Sequence, residues 1–341
     1  MSAVLVIGGR DEPEAVRAAK AVRARGGRAV WCDSKAFPER AAITFSGDAV
    51  RLGTRRLPPL RSIYLRSFHC NPLAPVHAAD LTERPHGLLA QCREKYALLA
   101  SLVLTLQSGG VRVVNPIDVN AQHSQKLFQL ALLRRAGLAV PRYLGTNEPA
   151  AVRRFVRQVK QAVYKPLAGG ATVRRVEPDD LADERLSALA AAPVLFQEQV
   201  EGVALRVYVV AGKVAAAAEI RSSELDYRRG EESVERAALT RDEAAMARRA
   251  AAACGMAFSG VDLMRGPRGP VVLECNPSPM FAVFEDKTGA DVSGPLARCC
   301  WDNENGPPGH VCRGGPLRGT GIIRRAEPAR GRRGRACVSR P

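Results

Sequence analysis

The chain has 341 residues, of which 46% are hydrophobic and 25% are charged, which is enough apolar material to bury a core in two or three lobes. Its nine cysteines are odd in number and scattered without a C-x-x-C pair, so the sequence excludes a disulfide framework and a zinc site of that kind. The formal net charge of +17 indicates anionic partners such as nucleotide phosphates, nucleic acid or acidic peptides.

Two apolar segments bear on where the protein resides. The first, 3–9, runs directly into Arg10 and Asp11, which favours a first β-strand over a signal peptide. The longest, 96–106, is too short to span a bilayer and indicates a core helix. We therefore expect a cytoplasmic protein that has no membrane partner.

A β-α-β unit opens the chain and predicts a parallel sheet in a first lobe, residues 1–115. The expected elements of this lobe, in chain order, are strand 3–9, helix 12–27, strand 28–33, strand 61–68, helix 87–109 and the closing segment 111–116. The two glycines at 8–9 lack the G-x-G-x-x-G spacing, so the unit gives no indication of a dinucleotide site.

The pattern changes after Asn120 and predicts two further lobes of helices and antiparallel strands, at 116–190 and 191–301. In the first of these the expected elements are helix 121–137, strand 138–147, helix 148–159, and a strand, glycine loop and strand over 161–176. In the second they are strand 194–200, a hairpin over 204–222, helix 240–255, strand 258–266 and strand 270–277. Ala211-Gly212 marks the hairpin turn, and Thr240 is the expected N-cap of the helix.

The segment VVLECNPSPMF ends an apolar strand on an acid and an amide. Alternate residues of a strand share a face, so Glu274 and Asn276 point the same way. The preceding strand carries Asp262, and a hairpin of the two strands brings it beside Glu274. Two carboxylates and an amide oxygen without His or Cys suit Mg²⁺ or Mn²⁺ rather than zinc. For Glu274 or Asn276 taken alone, the alternative to a metal ligand is an ordinary acid at the end of a strand, capped by an Asn in the turn.

Two lysines and a glycine loop indicate phosphate binding. Lys165 closes a strand in YKPLAGGA, and Gly169 and Gly170 open a loop whose backbone N–H groups can face phosphate oxygens. Lys126 is an isolated lysine in a chain dominated by arginine, which favours a compact ammonium at that place. The alternative to phosphate binding is, for the loop, a hairpin with an ordinary lysine. For Lys126 the alternative is that a lysine occurs there by chance.

The strand LFQEQVEG has the features of a base-binding edge, because an unpaired strand offers the donor and acceptor that adenine needs. The expected contacts with the base are Gln197, Glu198 and Val200. Downstream, Arg206 and Arg221 are candidate contacts for a transferring phosphate or a substrate carboxylate. The alternative is that Arg206 and Arg221 are ordinary surface arginines without a ligand.

These residues occur in the order and spacing of the ATP-grasp superfamily, and the sequence resembles its RimK-like carboxylate–amine ligases over roughly 115–300. The resemblance implies an α/β (α+β) fold of three lobes, in which a parallel N-terminal domain precedes two α+β lobes that sandwich ATP. The segment DYRRG resembles the family's D-F-R-S-N, which implies Arg228 near the phosphates, although Gly230 stands at the Asn position. Ala204 replaces the family's ribose-binding acid, and Glu201 is the substitute we expect.

The activity that the resemblance implies is the joining of a carboxylate to an amine through an acyl phosphate formed with ATP. The implied roles are metal binding by Asp262, Glu274 and Asn276 with two Mg²⁺ or Mn²⁺ ions, phosphate binding by Lys126 and Lys165, and a lid at Gly169 and Gly170. Addition of glutamate or another amino acid to a peptide, protein or small molecule is the first expectation. Modification of a ribosomally made peptide is the near alternative.

Residues 302–341 contain nine arginines, three acidic residues and no lysine among many glycines and prolines, which predicts a disordered tail. A nucleic-acid-binding protein that uses this tail on a degenerate ATP-grasp scaffold is the second hypothesis. The tail has no aromatic residues to stack on bases, so nucleic acid is not the expected partner. A nucleotide-binding protein without ligase activity is the third hypothesis, and the sequence is compatible with a homo-oligomer.

Overall fold

The computed structural model describes residues 2–47, 49–159, 161–169, 172–222 and 231–302. The strands are Ala3–Gly8 (β1), Ala29–Asp33 (β2), Ile43–Ser46 (β3), Ala49–Leu52 (β4), Arg55–Arg56 (β5), Leu60–Leu65 (β6), Arg112–Val114 (β7), Tyr143–Thr146 (β8), Ala162–Pro166 (β9), Arg174–Arg175 (β10), Val194–Glu198 (β11), Val203–Val210 (β12), Lys213–Ser222 (β13), Glu231–Arg236 (β14), Phe258–Gly266 (β15) and Gly269–Asn276 (β16). The helices are Pro13–Ala24 (α1), Ala78–Glu83 (α2), Pro85–Ser108 (α3), Ile117–Ala121 (α4), Lys126–Arg135 (α5), Pro149–Val159 (α6), Asp183–Ser187 (α7), Arg241–Ala253 (α8), Ala282–Thr288 (α9) and Ser293–Trp301 (α10). The predictions for Gly170, Arg228 and the tail beyond Asp302 fall outside the described residues.

The first sheet is parallel, as the β-α-β pattern predicts, with the strand order β2-β1-β6-β7. β1 is buried along its whole length because both faces of the sheet are covered. Val4 and Val6 share a core with α1 and α10, whereas Leu5 and Ile7 pack with α3. The carboxyl ends of β1 and β6 therefore meet at one edge of this sheet.

The second sheet has the order β10-β9-β11-β8 and is antiparallel, and α6 packs on it. Two local predictions were wrong here. The strand expected over 138–147 is confined to β8, since Pro141 lacks the N–H group that a ladder needs. The single helix expected over 121–137 is instead α4, a short 3₁₀ turn and then α5, so Lys126 begins a helix.

The third sheet is antiparallel, with the order β14-β13-β12-β15-β16. Ala211 and Gly212 make the predicted turn between β12 and β13, with φ values of +50° and +74°. Thr240 caps α8 as predicted, since its Oγ1 accepts a hydrogen bond from the backbone N–H of Glu243 at 3.2 Å.

One apolar core joins the first and third sheets through the last two helices. Val4, Tyr208, Phe258 and Phe281 belong to this core, and α10 lies against α1 and β6. The segment that follows β16 is thus held against the first lobe. Across the described part of the chain, no helix is both long and apolar enough to cross a membrane.

Candidate active site

The carboxylates of the predicted metal site lie on two neighbouring strands. In the β15–β16 pair, Asp262 is directly opposite Glu274, and Gly260 is opposite Asn276. Glu274 and Asn276 are two residues apart on β16 and share its face, whereas Cys275 points into the opposite core. The pattern of the two apolar strands therefore predicted the correct neighbours.

Three cationic side chains neutralise these two carboxylates. Lys126 Nζ lies 2.7 Å from Glu274 Oε1, and Lys165 Nζ lies 3.5 Å from Glu274 Oε2. Arg206 is opposite Asp262 on β12; its Nε donates to Asp262 Oδ1, and its Nη2 donates to Asp262 Oδ2 at 3.0 Å. Three positive charges thus face two negative ones, and the excess suits an anionic ligand.

Burial and charge act in opposite directions on these groups. Burial acts to raise the pKa of Glu274, but the Lys165 and Lys126 ammonium groups outweigh it and lower that pKa to about 2. Burial lowers the pKa of Lys165, and burial raises the pKa of Asp262 despite the Arg206 guanidinium. The cluster is a set of charged groups held out of water, which strengthens the field that each exerts on a ligand.

The depressed pKa of Glu274 predicts how stability changes with pH. Its ordinary pKa of 4.5 falls to about 2 in the folded chain, so the ionised carboxylate contributes stability that is present above pH 4.5 and is lost as pH falls toward 2. We expect Glu274→Gln to lower the free energy of unfolding by about 3 kcal/mol at pH 7. Urea unfolding of both proteins from pH 7 downward measures this difference, and a gap that does not narrow below pH 4.5 would contradict the assignment.

The glycine loop and Gln197 approach the same cleft from the second sheet. Lys165 is opposite Leu195, and Gln197 lies two residues further along β11, so Lys165 and Gln197 share one face of that sheet. Gln197 is 5% exposed, and its Nε2 has no hydrogen-bond partner among the described residues. Gly169 has a φ of +83°, and a Cβ there would lie 3.7 Å from His123 Nε2.

The expectation of an unpaired strand edge at LFQEQVEG was wrong for the strand itself. β11 lies between β9 and β8, which use its backbone groups on both sides. The chain leaves the sheet after Glu198, so Val200 and Glu201 lie in the link to β12, next to Gly266. Glu198 Oε2 accepts a hydrogen bond from the backbone N–H of Arg142 at 3.3 Å.

Arg221 is not brought to these carboxylates. Its neighbour Ile220 is opposite Ala204, on the face of the third sheet that carries Arg206, so Arg221 lies on the other face. Its Nε is 3.3 Å from Glu219, and its side chain is 65% exposed. A contact of Arg221 with phosphate or carboxylate stays a prediction.

Arg66 is a residue of the site that sequence patterns did not reveal. It follows β6 at the carboxyl edge of the first sheet, and its Nη1 donates to the backbone oxygen of Ser278 at 2.9 Å and to Ser278 Oγ at 2.7 Å. The backbone N–H of Ser278 donates in turn to Asn276 Oδ1 at 3.0 Å. Arg66 therefore fixes the turn that orients Asn276, and its place at the end of a parallel strand is the signal that could have identified it.

Gly260 leaves room for two neighbours of this site. A Cβ at Gly260 would lie 2.7 Å from Pro279 Cβ and 3.2 Å from Arg206 Cδ. We expect Gly260→Ala to destabilise the protein by about 1–3 kcal/mol and to displace Arg206 from Asp262, because the proline ring cannot move aside without its backbone. Thermal unfolding measures the loss, and Gly109→Ala, where the nearest atom is 3.4 Å away, is the control.

Comparisons with known proteins identify the family of this chain. The RimK-like ATP-grasp domain family matches residues 123–300. The chain is 36% identical over 207 residues to a probable alpha-L-glutamate ligase of Teredinibacter turnerae. This match covers 57% of this chain and 68% of that protein. A corresponding protein of Shewanella loihica is 32% identical over the same length, with the same coverage.

Solved structures extend the similarity to the first lobe. The ATP-grasp ligase PsnB, complexed with a phosphomimetic variant of a minimal precursor, Mg and ADP, is 34% identical with a TM-score of 0.81 and covers 89% of this chain and 99% of its own. The macrocyclase MdnC, bound with precursor peptide MdnA from Microcystis aeruginosa, has a TM-score of 0.74 and covers 89% of this chain and all of its own. At 20% identity, its likeness concerns the fold alone.

The chain belongs to the RimK-like ATP-grasp family. It is an ATP-dependent carboxylate–amine ligase, and the α/β fold with a parallel first sheet that the resemblance implied is confirmed. The hypothesis of a nucleic-acid-binding protein on this scaffold is not favoured, because the matched proteins are named as ligases.

Proposed function

We propose that this ligase activates a side-chain carboxylate of a peptide and joins it to an amine. The observation that carries the proposal is the extent of the similarity. The glutamate ligase match covers 57% of the chain, whereas the PsnB match covers 89%, including the lobe that we expect to select the substrate. PsnB was solved with a precursor peptide, and the net charge of +17 on this chain suits an acidic peptide.

The residues present fit a nucleotide with divalent ions. Asp262, Glu274 and Asn276 offer hard oxygen ligands of the kind that Mg²⁺ prefers, and Mn²⁺ is also compatible with them. Among the described residues, no group of three or more His, Cys, Asp or Glu side chains clusters as a metal site, which is compatible with ions that enter together with the nucleotide. These three side chains would hold the ions, which would supply positive charge to offset the charge that develops on the phosphate during transfer.

The chain's own cations exchange partners when the nucleotide binds. Lys126 and Lys165, which now contact Glu274, turn to the α- and β-phosphates, and Arg206 turns from Asp262 to the transferring phosphate or the substrate carboxylate. The buried donor Gln197 Nε2 fits a ring nitrogen of adenine better than its exocyclic amine, because a donor needs an acceptor.

The loops around the nucleotide have supporting roles in this proposal. Glu198 and Val200 lie where the chain leaves the second sheet beside the base, and Glu201 contacts the ribose. The family resemblance assigns Gly169 and Gly170 to a lid that excludes water from the acyl phosphate, and it assigns Arg228 to phosphate binding. Boundaries near 115, 190 and 301 then separate the three lobes, and the nucleotide lies between the second and third.

Addition of glutamate is the second candidate function, because relatives with 36% and 32% identity are named as glutamate ligases. The two candidates share the same chemistry and differ in the carboxylate donor. In the peptide reaction, the donor is a Glu or Asp side chain within a chain of residues. In the second reaction, free glutamate supplies the amine to the end of an existing chain.

A coupled assay of ADP release distinguishes the candidates. The full chain is incubated with MgATP and a synthetic peptide of alternating glutamate and lysine, with free glutamate plus a peptide lacking acidic side chains, or with neither. We expect ADP release with the first mixture and a mass loss of one water in the peptide, which marks an internal amide. ADP release with the second mixture alone would overturn the peptide proposal in favour of glutamate addition.

A further inference from the structure

The carboxyl edge of the first sheet carries a second cluster of polar groups, of which Arg66 alone has been given a role so far, through its contact with Ser278. Glu12 follows β1, Ser34 follows β2, and Arg66 and His69 follow β6. Ligands of open parallel sheets bind at the carboxyl edge, beside the point where the chain connections leave toward opposite sides of the sheet. This point lies at β1 here, because β1 lies between β2 and β6 in the first sheet.

His69 is held in this cluster from several sides. Its φ of +51° is a strained conformation for a residue with a side chain. Its backbone N–H donates to Ser67 Oγ at 3.1 Å, and its carbonyl accepts from Lys95 Nζ at 3.0 Å. Phe68 and Tyr96 pack edge to face with ring centres 5.6 Å apart, which fastens the same loop to α3. The imidazole is 24% exposed, so a substrate can reach it.

Hydrogen bonds fix which nitrogen of His69 carries its proton. Ser34 Oγ donates its one hydrogen to the carbonyl of Ser67 at 2.7 Å, so toward His69 Nδ1, 3.0 Å away, it can only accept. Nδ1 therefore carries the hydrogen, and Nε2 keeps a lone pair. Glu12 Oε2 lies 3.6 Å from Nε2 and is itself held by the backbone N–H of Gly9 at 2.7 Å. A proton arriving on Nε2 creates an imidazolium that Glu12 stabilises.

Close contacts connect this imidazole to the metal-binding strand. Glu12 Oε1 lies 3.6 Å from Arg66 Nε, and Arg66 bonds Ser278, which bonds Asn276. Every step from Asn276 to His69 is 3.6 Å or shorter. These contacts connect the carboxyl edge of the first sheet to the turn that follows β16 and carries Ser278.

We propose that His69 is the base that takes a proton from the acceptor amine, with Glu12 stabilising the imidazolium; this rests on the proposed amide-forming function. The ammonium gives one proton to His69 Nε2, and the neutral nitrogen attacks the acyl carbon. The new C–N bond forms as the C–O bond to phosphate breaks and its electron pair leaves with the phosphate. Of the other two protons, one stays on the amide nitrogen and one leaves with hydrogen phosphate.

The charges around His69 favour a neutral imidazole at pH 7. Burial lowers its pKa, the Glu12 carboxylate opposes this, and the Lys95, Lys35 and Arg66 cations add to the lowering. A base works only in its neutral form, so amide formation should fall as pH drops through a pKa below the ordinary value of about 6.5.

Hydroxylamine separates the deprotonation of the amine from the activation of the carboxylate by ATP. It is unprotonated at neutral pH and attacks acyl phosphates without a base. With the glutamate–lysine peptide and MgATP, we expect His69→Gln to lower amide formation about 10²-fold or more while hydroxamate formation stays unchanged. Amide formation by the variant should recover as pH rises toward the pKa of the amine. The exposed His86 provides the control variant, His86→Gln, which should match the wild type in both assays.

Three outcomes contradict the inference in distinguishable ways. Amide formation by His69→Gln at the wild-type rate and with the wild-type pH profile would overturn the role of His69 alone. A wild-type chain that forms no hydroxamate from the peptide would overturn the proposed substrate, and the role of His69 with it. Equal loss of hydroxamate and amide in His69→Gln would show a structural role and would also overturn the inference.

Discussion

Replacing Glu274 with glutamine should lower ADP formation by about 10³-fold, a loss of roughly 4 kcal/mol of transition-state stabilisation. Glu274 lies directly opposite Asp262 and is the carboxylate that both Lys126 and Lys165 contact. The amide keeps the size of the side chain but removes the negative charge that a divalent ion and two ammonium groups require. Turnover of MgATP with the glutamate–lysine peptide measures the effect.

Glu219 provides a matched control for this substitution. It is a glutamate of the same sheet with a similarly exposed side chain, 24% against 22% for Glu274, but it lies on the opposite face and pairs with Arg221. Glu219→Gln should leave turnover unchanged. Circular dichroism at pH 7 and low temperature verifies that both variants are folded. A folded Glu274→Gln variant that retains wild-type turnover would contradict the assignment of the metal site.

Replacing Lys165 with methionine should weaken the binding of ADP by about 10²-fold, since a charge-assisted hydrogen bond contributes roughly 1.5–3 kcal/mol. Lys165 is 13% exposed, and burial lowers its pKa, so methionine can occupy the same space without a buried charge. Glu274 keeps Lys126 as a partner, so we expect the fold to remain intact. Isothermal titration with ADP in the presence of Mg²⁺ measures the affinity.

The exposed Lys20 of α1 serves as the control for a change in net charge, because Lys20→Met removes the same charge far from the two carboxylates in sequence and fold. Equal affinities for ADP in Lys165→Met and Lys20→Met would show that the field of the whole protein, rather than a contact, attracts the nucleotide. A loss confined to Lys165→Met supports direct contact with a phosphate.

The part of the site that lies on neighbouring strands could be predicted from sequence. Strand periodicity and a short apolar hairpin suffice to place Asp262 beside Glu274, because register is fixed once one face must be buried. The same holds for the parallel first sheet, whose fully buried strand β1 reads as a continuous apolar run. Periodicity did not predict that Lys126 and Lys165 contact Glu274, and the family resemblance implied only that these lysines bind the phosphates.

Contacts between distant segments could not be predicted in this way. Arg66 and Ser278 are 212 residues apart, and neither stands in a pattern that indicates the other. The prediction of a free edge at β11 was wrong because β8 and β9 pair with it on both sides. These strands come from separate segments of the chain, and no local sequence signal reveals that they pair with β11. The broken helix before Lys126 has the same origin, since Gln122 turns its side chain to the carbonyl of Cys254 and Gln129 bonds the backbone of Cys275.

Transfer of oxygen from the substrate to phosphate tests the central claim most directly, namely that ATP activates a carboxylate at this cluster of cations and acids. The glutamate–lysine peptide is prepared with ¹⁸O in its side-chain carboxylates and incubated with the full chain and MgATP. Each amide formed should release a phosphate that carries a single ¹⁸O atom, because the carboxylate oxygen that attacked ATP leaves with it. Amide formation accompanied by unlabelled phosphate would contradict the acyl phosphate and the roles assigned to these residues.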